Sequence, residues 1–381
     1  MRRDYSTFTP FRKAVPGRFR FRFCYGNGRR ACFGGQRLLH FDLMIRPFNL
    51  RDWALVHRLS EQGVLLHTES ALTKNLHPVR DALFSIVGGD FPTYVWKAER
   101  GNVAGFVQLY MEDDSQNAHL LYLSSTADQV VAPEGDNGSV AGPTRVINES
   151  VWLSLLDKAV VEAGRQGIQS LIAEVGETGA ELPVLRRAGF AVYTRQDVWI
   201  LKEVTSQRQE KILSPRHSTD DWEVQLLYAN TVPRLVQLVE PMPPLYDGEG
   251  WVLRESDELT AFVHIRNGPV ATWIRLFIHP NAEAQVDEII AAALQVNPPA
   301  PSHPVYCCVR RYQSWVQHAL QRKGFTLWGS QAVMVKHTVH HLQKSVPDLA
   351  AVLEAQGISP SAPLVQRYHR AMNAKMGRYQ N

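Results

Sequence analysis

One segment of 14 residues occurs twice in this chain of 381 residues. It reads LRRAGFAVYTRQDV at 185–198 and LQRKGFTLWGSQAV at 320–333, with six of 14 positions identical at a constant offset of 135 residues. In each copy an amphipathic helix leads into Gly-Phe and then into an apolar strand. A glycine just after a helix ends it by adopting the left-handed conformation. We therefore predict a duplicated helix–strand unit with Gly189 and Gly324 at positive φ.

The repeat extends upstream of this segment. Trp96 and Trp251 each head a pattern of strand, polar turn and strand, and their offset is 155 residues. The 20 extra residues of the first copy fall at 126–147, which is rich in Gly, Pro, Asp and Ser, as surface loops are. A repeat of about 150 residues has the size of a domain.

The charge pattern divides the chain further. Residues 1–43 carry ten Lys/Arg and two acids, whereas the remainder has a net charge of −4. The tail is either a basic arm for nucleic acid or a segment upstream of a true start at Met44; the domain-like pattern from Met44 favours the second. We predict a basic, disordered tail at 1–43, a first domain at 44–202, a linker at 203–221, a second domain at 222–338 and a helical extension at 339–381.

Composition excludes several classes of protein. The chain is 45% hydrophobic and 20% charged, as globular proteins are. It has no run of 18 apolar residues, so we expect no membrane-spanning helix. Its four cysteines show no metal-ligand spacing, so we expect reduced thiols in a cytoplasmic protein and no metal site.

The order of predicted elements resembles the GNAT superfamily of acyl-CoA-dependent N-acyltransferases. The second copy is expected to begin with a strand, WEVQLLY at 222–228, and a short helix capped by Thr231. The residues that carry the resemblance are Ile45-Arg46-Pro47, Arg51-Asp52, Leu185 to Phe190 and Ile278-His279-Pro280. The resemblance implies an α/β fold of two tandem GNAT-like domains, each a mixed, mostly antiparallel sheet flanked by helices.

The resemblance also implies an acyl-CoA site, but both copies depart from it. The family binds the pyrophosphate with a loop of the form Gln/Arg-x-x-Gly-x-Gly/Ala, whose backbone N–H groups approach the phosphates. Neither copy contains this loop. In the second copy Glu283, Asp287 and Glu288 occupy the corresponding helix start, where they would repel a phosphate.

The first copy lacks this acidic group. Its loop offers Gly138 and Gly142, followed by Arg145, although the glycines could equally belong to a flexible insertion. The resemblance places the acyl donor, acetyl-CoA, along Leu121 and Leu123 of the central strand. The sequence therefore predicts that only the first copy can hold acetyl-CoA.

The catalytic groups are less clearly marked. Leu185 and Leu320 stand where the family often has the tyrosine that protonates the leaving thiolate. Tyr122 and Tyr193 are possible substitutes, although a buried tyrosine is more often a core residue. Glu174, in an apolar strand, is either a buried general base or an outward residue of a sheet edge.

One further pattern is a polar strand end. Arg310-Arg311-Tyr312 ends a predicted strand where the ligand cleft of this fold opens. It could clamp an anion or be an ordinary polar terminus.

The leading functional hypothesis is N-acylation of a small amine by acyl-CoA in the first copy. We expect neither a nucleic acid nor a membrane as partner. The alternative is a catalytically silent GNAT-like protein used for ligand binding or protein interaction, because fold does not determine function. The acceptor, the acyl group and the oligomeric state leave no signal in the sequence.

Overall fold

The computed structural model describes residues 45–86, 88–98, 103–111, 116–126, 128–131, 144–203, 212–245 and 248–338, with only the main chain at 129–131 and 144–145. All belong to one compact unit, Phe41–Asn381. The predicted tail at 1–43 and the extension at 339–381 lie outside these residues. No helix in the described ranges is both long and apolar enough to cross a membrane.

The first half begins with a capped helix and ends with the first copy of the repeat. Asn49 accepts a hydrogen bond from the Arg51 N–H and forms a capping box with Asp52. The elements are β1 (Ile45–Pro47), α1 (Trp53–Ser60), β2 (Val64–Leu65), α2 (Thr68–Thr73), α3 (Pro78–Ile86), β3 (Thr93–Lys97), β4 (Ala104–Met111), β5 (Asn117–Ser125), β6 (Gln129–Val131), β7 (Thr144–Val146), α4 (Glu149–Arg165), β8 (Ser170–Gly176), α5 (Glu181–Arg187) and β9 (Ala191–Leu201).

The second half repeats this order with fewer helices. Its elements are β10 (Ser214–Pro215), α6 (Asp221–Thr231), α7 (Arg234–Val239), β11 (Glu249–Glu255), β12 (Glu258–Asn267), β13 (Thr272–Ile278), α8 (Val286–Val296), β14 (Val305–Arg310), α9 (Gln317–Arg322) and β15 (Thr326–His337). Short 3₁₀ segments precede α1, α6, α8 and α9.

The strand predicted at 222–228 is wrong, because these residues form α6. Val224, Leu227 and Tyr228 recur at helical spacing and are buried against the second sheet half. Thr231 ends α6 and does not cap α7, which follows Pro233. Part of the predicted linker is also folded, since β10 pairs with β11.

The two halves share one sheet and exchange their last strands. The sheet has 13 strands, in the order β1-β3-β4-β5-β8-β15-β9-β14-β13-β12-β11-β10, and β2 pairs with β5 beside this path. In its centre, β15 of the second half lies between β8 and β9 of the first half. Likewise β9 lies between β15 and β14 of the second half. Each half therefore completes the sheet of the other.

This centre has an approximate two-fold axis that the sequence repeat reveals. Gln196 pairs with Gln331, its own counterpart in the second copy. Pairs on either side, such as Asp197 with Ser330, obey the same symmetry. The two glutamine side chains are joined by a hydrogen bond of 2.9 Å from Gln196 Nε2 to Gln331 Oε1. The axis therefore passes through this glutamine pair.

Helices cover both faces of each sheet half. In the first half, α4 and α5 pack on one face around the fully buried Trp152, and α1 packs on the other around Phe106. In the second half, α8 and α9 take the first of these places and α6 the second. The predicted α/β fold class, with two tandem copies and mixed, mostly antiparallel strands flanked by helices, is confirmed.

The corner glycines provide a first test of this fold. Gly189 and Gly324 have φ of 86° and 88°, as predicted. A Cβ at either would meet its nearest neighbour only at 3.6 Å, so Gly→Ala should cost about 1 kcal/mol of unfolding free energy, through the left-handed backbone alone. Urea unfolding measures this cost. Gly176→Ala is the control, because its Cβ meets nothing nearer than 3.8 Å and its φ is not positive; equal losses at all three sites would contradict the explanation.

Candidate active site

Each half contains a pair of parallel strands that diverge. In the first half, β5 and β8 pair only at Asn117–His119 on the β5 side. In the second, β13 and β14 pair at Thr272–Arg275 on the β13 side. We call the gaps beyond these pairs the first and the second opening. Such gaps at the carboxyl ends of strands are the usual ligand sites of α/β sheets.

A β-bulge lies at the start of the first opening. Gln108 of β4 pairs with Tyr122, and the next residue, Leu109, pairs with Leu120, so Leu121 is the extra residue. A bulge bends its strand, and β5 leaves β8 at this point. The Tyr122 side chain lies in the cluster under α1, together with Phe106, and its burial raises the pKa of its phenol to about 12.

The chain itself fills the first opening. In β2, Val64 and Leu65 pair with Leu123 and Tyr122. The next residue, Leu66, donates its N–H to the Leu121 carbonyl at 3.0 Å and accepts the Glu174 N–H at 2.7 Å. The backbone edge that the sequence assigned to acetyl-CoA at Leu121 and Leu123 is therefore bonded to residues 64–66. An acyl donor could lie there only if this segment were displaced.

The second opening has free strand edges. The His279 N–H donates to Thr260 of β12 at 2.8 Å. Because bonded and non-bonded positions alternate in an antiparallel pair, Leu276 and Ile278 direct their N–H and C=O groups away from β12 and into the opening. Among the described residues, the last β13–β14 pair, Arg275 with Cys308, uses the Leu276 N–H, whereas the Leu276 carbonyl and the N–H and carbonyl of Ile278 form no main-chain bond.

A chain of buried polar side chains links the two openings across the two-fold axis. Glu174 accepts the Thr68 N–H at 2.8 Å, and the Thr68 hydroxyl accepts from Gln331 Nε2 at 2.7 Å. Beyond the glutamine pair, the Cys308 thiol donates to Gln196 Oε1 at 3.3 Å. Glu174 is only 8% exposed, so the outward-facing alternative for this carboxylate is wrong.

A largely buried carboxylate, whose side chain is 16% exposed, joins two arginines at the second opening. Glu240 accepts from Arg310 Nη2 at 2.8 Å and from Arg275 Nη2 at 3.0 Å. It also accepts from the Tyr193 hydroxyl. Burial alone would raise the pKa of Glu240, but the charges of Arg310 and Arg275 outweigh it and hold the pKa at about 2. Glu240 therefore stays ionised and is no general base near neutral pH.

Two phenols flank this cluster. Burial and the Glu240 charge raise the pKa of Tyr193 well above its ordinary value, and burial raises the pKa of Tyr312 to about 12. Both phenols therefore remain protonated near neutral pH. The Tyr193 hydroxyl already donates to Glu240, whereas Tyr312 packs against the apolar cluster under α6 and is influenced by the Arg310 charge.

Arg310 is the last residue of β14, where the sheet divides. Its Nη2 holds Glu240, but Nε and Nη1 are buried and find no partner among the described residues. An unmatched buried donor costs about 1–3 kcal/mol. Such atoms are expected where a ligand or a water completes the site.

The structure unites only part of the predicted site. Glu174 and Tyr193 lie in one polar region, since the Glu174 charge contributes to the raised pKa of Tyr193. Tyr122 lies apart, under α1. Arg145 pairs with Val130 through the main chain, its side chain is not described, and Gly138 and Gly142 lie outside the described residues. These assignments stay predictions.

Sequence reasoning missed Glu240 and Arg275. Arg310 carried a signal, as part of the polar strand end Arg310-Arg311-Tyr312. Glu240 only precedes a proline-rich stretch, and Arg275 lies inside an apolar strand. An isolated arginine between apolar residues of a central strand is the signal that could have been used, because a buried cation requires a partner.

The acidic start of α8 is less repulsive than its sequence suggests. Asp287 is neutralised by Arg322, whose Nε donates to it at 3.1 Å. Glu283 and Glu288 are exposed to solvent, where salt screens their charges.

Comparison with known proteins finds similarity at the level of structure. No protein-family model and no curated protein matches the chain. A tandem GNAT protein from the clavulanic acid biosynthesis pathway is similar at 12% identity, over 77% of this chain and 98% of that one, with a TM-score of 0.41. A GCN5-related N-acetyltransferase from Sphaerobacter thermophilus is similar at 10% identity, over 77% and 95%, with a TM-score of 0.43. A protein described as a putative acetyltransferase, from Pyrococcus horikoshii, is similar at 12% identity, over 80% and 92%, with a TM-score of 0.42. At these identities the likeness concerns the fold alone.

Proposed function

We propose that this tandem GNAT-like chain is an N-acyltransferase that moves an acyl group, acetyl in the simplest case, from acyl-CoA to a small amine. The donor would lie in the second opening and not in the first. The observation that carries the proposal is the free edge formed by the Leu276 carbonyl and by Ile278, in contrast to the occupied edge of Leu121 and Leu123 in the first half. An extended thioester arm needs such an edge for its amide groups.

The chemistry of the second opening suits acyl transfer. The amine nitrogen attacks the thioester carbonyl carbon, the C–S bond breaks, and the thiolate takes a proton from a phenol. The nitrogen loses one proton as the amide forms, and this proton restores the phenol. Tyr312, protonated near neutral pH and beside Arg310, is the proposed proton donor. Glu240 keeps the two arginines in place and takes no part in proton transfer, because its pKa is about 2.

The predicted repulsion of phosphate in this half is reduced. Asp287 is paired with Arg322, and exposed charges such as Glu283 and Glu288 contribute only about 0–1 kcal/mol each. The assignment of the donor to the first copy rested on this repulsion. We therefore propose the opposite assignment.

Charge substitutions distinguish the two openings. Glu288→Lys should tighten acetyl-CoA binding about fivefold, because a reversed charge near a helix start is worth roughly 1 kcal/mol to an anion. Arg145→Glu, the matched reversal in the first half, should leave the affinity unchanged. Isothermal titration calorimetry on the full chain measures both. If Arg145→Glu instead weakens binding at least tenfold while Glu288→Lys has no effect, the donor lies in the first opening.

A second candidate function is a catalytically silent ligand-binding protein. It is favoured by the segment at 64–66, which occupies the first opening, and by the lack of a phosphate loop in both copies. Folded full-length chain that binds no acetyl-CoA at millimolar concentration would support this candidate and overturn the proposed transferase.

A further inference from the structure

The unmatched donors of Arg310 identify a class of substrate, an inference that rests on the proposed function. We infer that the second opening binds a carboxylate through Arg310, so that one of the two substrates is a small molecule with a carboxylate close to its reacting group. An amino acid, which carries its amine beside its carboxylate, is the simplest acceptor of this kind.

The first observation is that Arg310 is buried, fixed and incompletely bonded. Its side chain is 10% exposed, and its bond of 2.8 Å to Glu240 uses Nη2 alone. Nε and Nη1 have no partner in the part of the chain that the structure describes. A guanidinium held through one N–H of Nη2 offers a carboxylate either Nε or Nη1, each beside the second N–H of Nη2, in a fixed plane.

The second observation is the charge of the cluster. Arg275 and Arg310 share the single carboxylate of Glu240, which leaves one positive charge in excess. Of the other carboxylates of this region, Glu69 pairs with Arg266 at 2.6 Å, and Glu174 accepts the Thr68 N–H and bonds to neither arginine of the cluster. A ligand with one negative charge would balance the cluster, and buried charges are stable only when balanced.

The third observation is the position of Arg310. It ends β14 where β14 separates from β13, next to the free edge proposed for the thioester arm. Tyr312, the proposed proton donor, follows two residues later. A substrate anchored at Arg310 by its carboxylate would therefore have its neighbouring group beside the proposed reaction site.

The test begins with binding, which requires no turnover. Ligand-detected NMR would measure the binding of two mixtures to the full chain. One contains L-amino acids, and the other contains the matching amino acid amides, which lack the carboxylate. At least tenfold stronger binding of the acids is expected. Equal binding of acids and amides, or binding of neither, would overturn acceptor recognition by Arg310.

A matched pair of variants locates the carboxylate. Arg310→Lys keeps the positive charge beside Glu240 but removes the Nε and Nη1 donors, and should weaken binding at least tenfold. Arg311→Lys is the control, because Arg311 is 40% exposed and bonds to Glu177 at 2.6 Å; it should change binding less than twofold. Near-UV circular dichroism confirms folding, and the comparison of acids with amides on the unaltered chain holds even if Arg310→Lys unfolds.

Turnover assays separate this inference from the proposed function. If amino acids bind in a way that depends on Arg310 but no acyl group is transferred, the proposed transferase activity is overturned, while the carboxylate site at Arg310 stands. Equal rates of acetyl transfer from acetyl-CoA to amino acids and to their amides would overturn the acceptor assignment, while the proposed transferase activity would stand. If, in that case, succinyl-CoA is preferred to acetyl-CoA and Arg310→Lys abolishes the preference, the carboxylate belongs to the acyl group. Without such a preference the inference fails altogether.

Discussion

Glu240→Gln should lower the free energy of unfolding by about 3–5 kcal/mol, the cost of removing one partner from a buried ion pair. The substitution keeps the shape of the side chain and removes the only charge that Arg275 and Arg310 share. Denaturant unfolding measures the loss. Glu223→Gln is the matched control: its ion pair with Arg254 is at the surface, and such pairs contribute about 0–1 kcal/mol. Similar losses in both variants would contradict the role given to Glu240.

The contribution of Glu240 to the free energy of unfolding should also depend on pH. Its pKa is about 2 in the folded chain, below the ordinary value of 4.5. A lowered pKa stabilises the fold fully above the ordinary value, and this contribution is lost as the pH falls through the folded value. The stability difference between the original chain and Glu240→Gln should therefore be constant near neutral pH and shrink below about pH 4.5. A difference that stayed constant down to about pH 2 would exclude this origin.

Separating the two halves should abolish folding. Residues 44–203 expressed alone would lack β15, which lies between β8 and β9, so both strands would present unpaired edges. We expect this fragment to aggregate and to show no cooperative unfolding. Residues 204–338 alone would lack β9 and should fail in the same way, whereas co-expression should restore a soluble complex.

A protease site inserted at 204–211 is the control for this experiment. Cleavage there yields nearly the same two fragments, but it takes place after the full chain has folded and the shared sheet has formed. The two fragments should therefore remain associated. Two fragments that each unfold cooperatively on their own would show that the exchanged strands are dispensable, and would support the independent domains predicted from the repeat.

The sequence predicted well which residues of the two halves correspond, but it did not predict which strands pair with each other. A strand follows each Gly-Phe as expected, β9 and β15, and both corner glycines have the expected φ. The repeat shows that Gln196 and Gln331 correspond, but correspondence holds equally for two separate sheets and for one shared sheet. Only long-range contacts decide between them, and no local pattern records these contacts.

The assembly of the candidate site escaped prediction for a related reason, although Tyr193 and Arg310 were singled out individually. Its cluster assembles Tyr193, Glu240, Arg275 and Arg310 from four separate elements. The segment that fills the first opening is only two strand residues and Leu66 long, too short for any periodicity. Glu174 was recognised because a charge within an apolar strand is unusual, and Arg275 has the same signature.

The exchange of strands also bears on how the chain is made. β9 ends at Leu201 and β15 begins at Thr326, so about 125 residues must be synthesised before the gap between β8 and β9 can close. At roughly 5–20 residues per second this takes about 6–25 seconds. For that time the newly made first half exposes two strand edges to other nascent chains. We therefore expect its yield in cells to depend on translation speed and on chaperones more strongly than that of a protein whose domains close in the order of synthesis.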